Sequence, residues 1–320
     1  MTSTRRVVVD TDTGLDDALA LLYLARRPDV EITAVTAVYG NCAVDDALRN
    51  IGLVLRTAGL DAVPVARGAD GPLEGEAHFA AHVHGSDGLG DLGRPRPLPP
   101  VVNRSAAELI VEIAAAEPGE HDLLVLGPAT NVALALRLDP LVLTRYRSTV
   151  VMGGSGPFPP LGVTQTVDAN TANDPLAARA LYTAPRSRVV MVGVNVGVTA
   201  IVDEEAVATL HASETEVGRL SAELLEAYMD FYQYAWGRRV SPAWDGLAAG
   251  LLVEPSWLTR YEDGPVDVVP DGPRRRAHLL RTADGRPVPF ASGDGLPPTR
   301  VALDVDRAAF LADFVGRLAG

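Results

Sequence analysis

The chain has 320 residues, with 28 basic side chains against 41 acidic ones and a formal charge of −13. Every basic residue is Arg and none is Lys, which excludes a lysine Schiff base, a phosphate-loop lysine and a catalytic lysine base. The single cysteine, Cys42, excludes internal disulfides and thiolate zinc clusters, and the acidic balance argues against a nucleic-acid partner, whose phosphates demand a basic surface. No apolar run reaches the roughly 18 residues of a membrane span. The opening MTSTRRVVVD leaves no room for a secretory segment, so a cytoplasmic protein without a membrane partner is expected.

In chain order, the β-branched run Arg5 to Asp10 predicts a strand and Leu15 to Arg26 a helix. Glu31 to Tyr39 predicts the next strand, Asp45 to Ala58 a helix and Val63 to Ala66 a short strand. After a Gly/Pro-rich stretch come a helix over Ala106 to Ala116, a strand over Asp122 to Leu126, a helix over Asn131 to Leu138 and a strand over Thr149 to Met152. A helix over Pro175 to Tyr182 and a strand over Arg188 to Val192 complete the alternation, the signature of βαβ units. Two connections, Arg67 to Val101 and Gly153 to Asn173, are long enough to carry function. The expectation is one α/β domain over 1–320 with a mainly parallel central sheet flanked by helices. It includes a mainly helical segment at about 203–255 and a small hairpin region at about 263–305, with turns at Asp271-Gly272 and Asp284-Gly285.

The segment Asp10-Thr-Asp12-Thr-Gly14-Leu-Asp16-Asp17 sets four carboxylates past a buried strand and at a helix start. The carboxyl ends of strands are where open α/β sheets bind ligands. Asp16 or Asp17 could simply cap the helix. Four crowded carboxylates repel one another, however, and a hard divalent cation with oxygen ligands relieves that crowding.

Two families share the first residues of this run. Asp-x-Asp-x-Thr resembles the nucleophile motif of haloacid-dehalogenase-type phosphatases, which depend on a downstream lysine that this chain lacks. The whole run resembles the opening signature of the inosine-uridine-preferring nucleoside hydrolases, Asp-x-Asp-x-Gly-x-Asp-Asp. Further blocks resemble that family in order: Val38-Tyr-Gly-Asn41, His84-Gly-Ser-Asp87-Gly-Leu-Gly90, Leu126-Gly-Pro-Ala-Thr130-Asn131, Met152-Gly-Gly with Asn170 and Asp174-Pro175, and Ala243-Trp-Asp245.

The resemblance implies a Rossmann-like nucleoside hydrolase fold and calcium-dependent cleavage of a ribonucleoside by a metal-bound water, giving ribose and free base. It implies that Asp12 touches the calcium and takes the proton, that Asp17 is a main ligand, that Thr130 offers its backbone carbonyl and that Asp245 completes the ligand set, with Asp10 behind them. Asp16, Asn41 and Asn170 would hold the ribose hydroxyls, and His84 would approach the base or a hydroxyl. The partner implied is a small ribonucleoside, and the assembly a homodimer or homotetramer. Against each role stands a plainer one: Thr130 and Asp245 as helix caps, Asn41 as a turn residue and Trp244 as core filler.

Three positions depart from the pattern. Trp244 stands where many members have a His, and resembles the purine-specific, inosine-adenosine-guanosine-preferring branch, in which a Trp stacks on the base. Gly162 and Asp168 stand where the family supplies an Asn and a Glu for the 5′-hydroxyl, which leaves a modified or unusual riboside as an alternative substrate. A phosphatase and a non-catalytic nucleoside binder are the alternatives from other classes. Among the aromatics Tyr228, Tyr232, Tyr234 and Trp236, the spacing alone does not say which face a base pocket, and Phe79 is a candidate second wall. Arg274-Arg-Arg276 reads as a solvated turn.

Overall fold

The Val7-Val8-Val9 run is apolar at every position because both faces of its strand are covered. Val7 and Val9 enter one core and Val8 the other. The computed structural model describes residues 4–157, 168–269, 276–279 and 296–320. Its strands are β1 Arg5–Thr11, β2 Val30–Ala37, β3 Val65–Arg67, β4 Val101–Ser105, β5 His121–Val125, β6 Ser148–Met152, β7 Gly156–Pro157, β8 Arg188–Val192, β9 Ile201–Val202, β10 Ser241–Pro242, β11 Leu258–Gly264, β12 Val266–Val269, β13 Arg276–Leu279 and β14 Thr299–Val305. The α-helices are α1 Leu15–Ala25, α2 Val44–Thr57, α3 Ala81–His84, α4 Ala106–Ala116, α5 Thr130–Leu138, α6 Val142–Arg145, α7 Ala169–Asn173, α8 Pro175–Thr183, α9 Val194–Gly197, α10 Glu204–His211, α11 Glu216–Trp236, α12 Trp244–Val253 and α13 Arg307–Ala319.

Nine strands form one sheet in the order β11-β14-β8-β6-β5-β1-β2-β3-β4, parallel throughout except for β11, which runs antiparallel to β14 at the edge. Helices α1, α2, α11, α12 and α13 cover one face, while α4, α5, α6 and α8 cover the other. Strand β1 lies between β2 and β5, so the chain leaves it in one direction and later returns on its other side. A crevice opens beyond the carboxyl ends of the strands at such a reversal.

The α/β expectation is met, with strand and helix limits shifted by a residue or two. Both long connections hold structure, α3 in the first and β7 and α7 in the second. The region after Asp263 is more than a hairpin: β12 and β13 pair antiparallel and β7 joins β13, but β14 enters the main sheet beside β8. Val301 and Ala302 of β14 bury on opposite faces, a two-sided pattern too short to distinguish from a hairpin strand in sequence. The turns at Asp271-Gly272 and Asp284-Gly285, together with Gly162 and Arg274-Arg275, lie outside the described residues. Among the described residues, no helix is long and apolar enough to cross a membrane.

Candidate active site

The turn from β1 into α1 is strained and tightly tied. Thr13 has a positive φ of 29°, a conformation that costs a β-branched residue energy and that clusters at functional sites. It is held there by Thr11 Oγ1, which accepts from Thr13 N at 3.0 Å, and by Asn50 Nδ2, which donates to the Thr13 carbonyl at 2.9 Å. Gly14 follows because a Cβ there would sit 2.5 Å from the Asn41 amide and 2.6 Å from His84 Nδ1. Gly40 is required on the other side of the site, where a Cβ would meet Asp12 Oδ2 at 2.0 Å.

The carboxylates converge on this turn. Oxygens of Asp16, Asp17 and Asp245 lie within 4.8 Å of one another, and all three residues are buried. Asp17 Oδ1 accepts from Thr11 Oγ1 at 2.6 Å, and its Oδ2 accepts from Gly14 N and Asn41 Nδ2, both at 2.9 Å. Asp17 thus takes the capping role at the helix start as well as a place in the cluster. Asp12 lies outside the trio but within hydrogen-bonding reach of Asp17, and its Oδ2 accepts from Asn41 N at 2.7 Å. Asp12 Oδ1 and Asp16 Oδ1 are buried with no hydrogen-bond partner among the described residues.

Burial first, and Asp17's charge second, push the carboxyls of Asp12 and Asp245 well above the usual range and that of Asp16 up to about 7. Orphaned, mutually repelling buried oxygens of this kind are the donor set of a hard divalent cation, so the residues present fit such an ion. Asp10 sits behind them, opposite Thr36 in the β1–β2 register. Its Oδ1 accepts from Thr36 Oγ1 at 2.6 Å and Asn131 Nδ2 at 2.7 Å, and burial raises its pKa to about 6.

Thr130 is the first residue of α5, and its hydroxyl donates to Asp174 Oδ2 at 2.8 Å rather than capping the helix. Asp245 is likewise not a cap, since Ala243 holds that position and Asp245 lies in the first turn of α12. Asn170 donates its amide to the Met152 carbonyl at 3.1 Å and to the Leu126 carbonyl, fixing it against the ends of β5 and β6. Asp168 caps α7 through Oδ1, which accepts from Thr171 N at 2.7 Å. Its buried Oδ2 has no partner among the described residues.

Several of these groups, though not Asp10, Asp12, Asp17 or Thr130, line one cavity of about 300 Å³, large enough for a small ligand. Asp16, Asn41, Asp168, Asn170, Asp245 and His84 are among the residues that line it. Tyr228, Phe231, Tyr232, Trp236 and Trp244 line it as well, Tyr228 donating to Asp16 at 3.2 Å. The three residues Tyr228, Tyr232 and Trp236 recur every four positions on one face of α11, a spacing visible in sequence, whereas Tyr234 is 90% exposed on the opposite face. Phe79 is half exposed and does not line the cavity. His84 Nδ1 accepts from Leu15 N at 3.1 Å, so its ring hydrogen is on Nε2. Burial lowers its pKa to about 4, so the ring is neutral near pH 7. Thr36 and Asn50 are supporting residues that no motif marked, while Asn131 and Asp174 stood in the motif blocks without a role, because each acts through a partner distant in the chain.

The inosine-uridine preferring nucleoside hydrolase family model matches residues 7–312. The chain belongs to that family. It is 35% identical over 268 residues to a probable uridine nucleosidase 1 of Oryza sativa subsp. japonica, a match covering 83% of this chain and 82% of that protein. Among solved structures it is similar to a plant nucleoside hydrolase, with a TM-score of 0.90, 27% identity and 99% of each chain covered. It is also similar to a purine-preferring ribonucleoside hydrolase from Gardnerella vaginalis, with a TM-score of 0.87, 26% identity and coverage of 99% of this chain and 98% of that one. Family membership sets aside the phosphatase and the non-catalytic binder: the chain is an enzyme that hydrolyses N-glycosidic bonds of ribonucleosides.

Proposed function

We propose that this nucleoside hydrolase is calcium-dependent and prefers purine ribonucleosides. The observation that carries this reading is one cavity lined both by carboxylates, with orphaned oxygens on Asp16 and Asp168, and by a group of aromatic side chains that includes Trp244. Asp12, Asp17, Asp245 and the Thr130 carbonyl would hold the ion, with Asp16 at its side by distance. When bound, calcium supplies positive charge that offsets the crowded carboxylates and polarises water.

In this reading Asp16, Asn41 and Asn170 hold the ribose hydroxyls and turn the anomeric carbon toward Asp12. Asp12 takes the proton of the attacking water as the sugar passes through an oxocarbenium-like state. Asp10, fixed by Thr36 and Asn131, keeps the end of β1 in place beneath Asp12. His84 offers Nε2–H to the base or a hydroxyl. Asp168 Oδ2 is available to the 5′ side of the sugar. The indole face of Trp244 receives a purine that gains positive charge as it leaves. The buried, unpaired thiol of Cys42 suits the cytoplasm, and a homodimer or homotetramer is the assembly we expect.

Comparing kcat/KM for inosine, adenosine and guanosine with uridine and cytidine tests the substrate assignment. Purines turned over at least tenfold more efficiently is the expected result, and equal or inverted ratios would remove the preference while leaving the hydrolase.

A further inference from the structure

Among the described residues, six of the titratable side chains that line the cavity, Asp16, His84, Asp168, Tyr228, Tyr232 and Asp245, are buried, and the seventh, His82, is exposed. The buried six are committed elsewhere or are poor acids. Asp16 and Asp245 belong to the acidic cluster, and Asp168 Oδ1 caps α7. Tyr228 gives its hydrogen to Asp16 Oδ2 at 3.2 Å, and burial pushes the Tyr232 hydroxyl up to about 12. His84 Nδ1 accepts from Leu15 N at 3.1 Å, so a second proton on that ring would break this bond. His82 stands on α3, whose N-cap residue is tied to the site: Ala80 N donates to the Asn41 carbonyl at 3.1 Å. Its ring meets Phe231 edge-on, with centroids 6.1 Å apart and planes at 75°. Phe231 lies 5.0 Å from Tyr232, whose hydroxyl accepts the Trp244 indole N–H at 2.8 Å. These contacts set His82 and the Trp244 indole along one run of neighbouring rings in the same cavity.

We infer that His82 is the general acid of this enzyme, giving the proton that the departing base takes up. The inference rests on the reading of the cavity as a purine ribonucleoside site with the base against Trp244. The C1′–N9 bond breaks with its electron pair going to the base, and a proton passes from the His82 imidazolium to a ring nitrogen of that base. The water that adds to C1′ gives its proton to Asp12. His82 is left neutral and regains a proton from solvent, which its exposure allows. A histidine suits this work because imidazole exchanges protons near neutral pH.

Steady-state kinetics of His82→Asn and His82→Gln on inosine and on para-nitrophenyl ribofuranoside, across about pH 5–9, test this. Nitrophenolate leaves as an anion and needs no proton, so a general acid matters to the first substrate and not to the second. With inosine, kcat is expected to fall by about a hundredfold or more and the basic limb of its pH profile to disappear, while kcat for the nitrophenyl riboside stays within about threefold of wild type. Comparable losses on the two substrates would overturn the inference, since they mark a role in packing or binding. An inosine loss below about threefold, or a basic limb that persists in both variants, would overturn it as well. Thermal unfolding at the wild-type midpoint, expected for an exposed position, shows that the variants fold. Wild-type protein that releases no ribose from inosine would instead fail the cavity reading itself.

Discussion

Asn131 Nδ2 donates to Asp10 Oδ1 at 2.7 Å, linking the first turn of α5 to the end of β1. The same amide donates to the Ala37 carbonyl at 3.0 Å, and its oxygen accepts from Ala69 N at 2.9 Å. One buried side chain thus holds the ends of β1 and β2 and the start of the long connection after β3. Asn131→Ala leaves these groups without their partner and is expected to cost roughly 2–4 kcal/mol. Urea unfolding measures it, and a loss below about 0.5 kcal/mol would contradict the linking role.

Asp12→Asn removes the proposed base while keeping the shape of the side chain. Turnover should fall by about 10²–10⁴ while calcium binding, followed by calorimetry, partly persists through Asp17 and Asp245. Full activity in this variant would remove Asp12 from that role.

Calcium and pH should act on stability together. Asp16, raised to about 7, and Asp10, raised to about 6, hold protons in the fold that they release when unfolded. Their stabilising share is whole below the ordinary carboxylate pKa and is lost as pH rises through those values. His84, lowered to about 4, has the opposite slope, but only below about 6.5. Between pH 6.5 and 8, therefore, Tm in chelator should fall, and the rise in Tm on adding calcium should grow. Scanning calorimetry at four pH values decides this, and a calcium effect that is absent or independent of pH would count against the ion site.

Trp244→Ala removes the indole and breaks the contact to Tyr232. Loss of kcat/KM should be roughly tenfold greater for inosine than for uridine, since the larger base stacks over more of the indole. Equal losses would show that Trp244 serves packing alone.

Much of the fold was legible because buried parallel strands are short apolar runs, as in Val7 to Val9, and helices between them carry clear periodicity, as in Val44 to Thr57. Strand β14 was not, since Val301 and Ala302 show their two-sided burial only once β8 lies beside them. The acidic turn announced itself by crowding four Asp residues within eight positions. Its supports did not: nothing local marks Asn131 as Asp10's partner or Asp174 as the acceptor of the Thr130 hydroxyl, because each pair spans many residues. The helix-cap reading of Thr130 failed for the same reason, as a distant carboxylate competes for its hydroxyl.

The most direct test is release of ribose from inosine, read as reducing sugar, with calcium and with excess chelator. The account predicts stoichiometric ribose and hypoxanthine with calcium, and loss of at least nine-tenths of the rate in chelator, restored by added calcium. No sugar from inosine or any other ribonucleoside under either condition would contradict it.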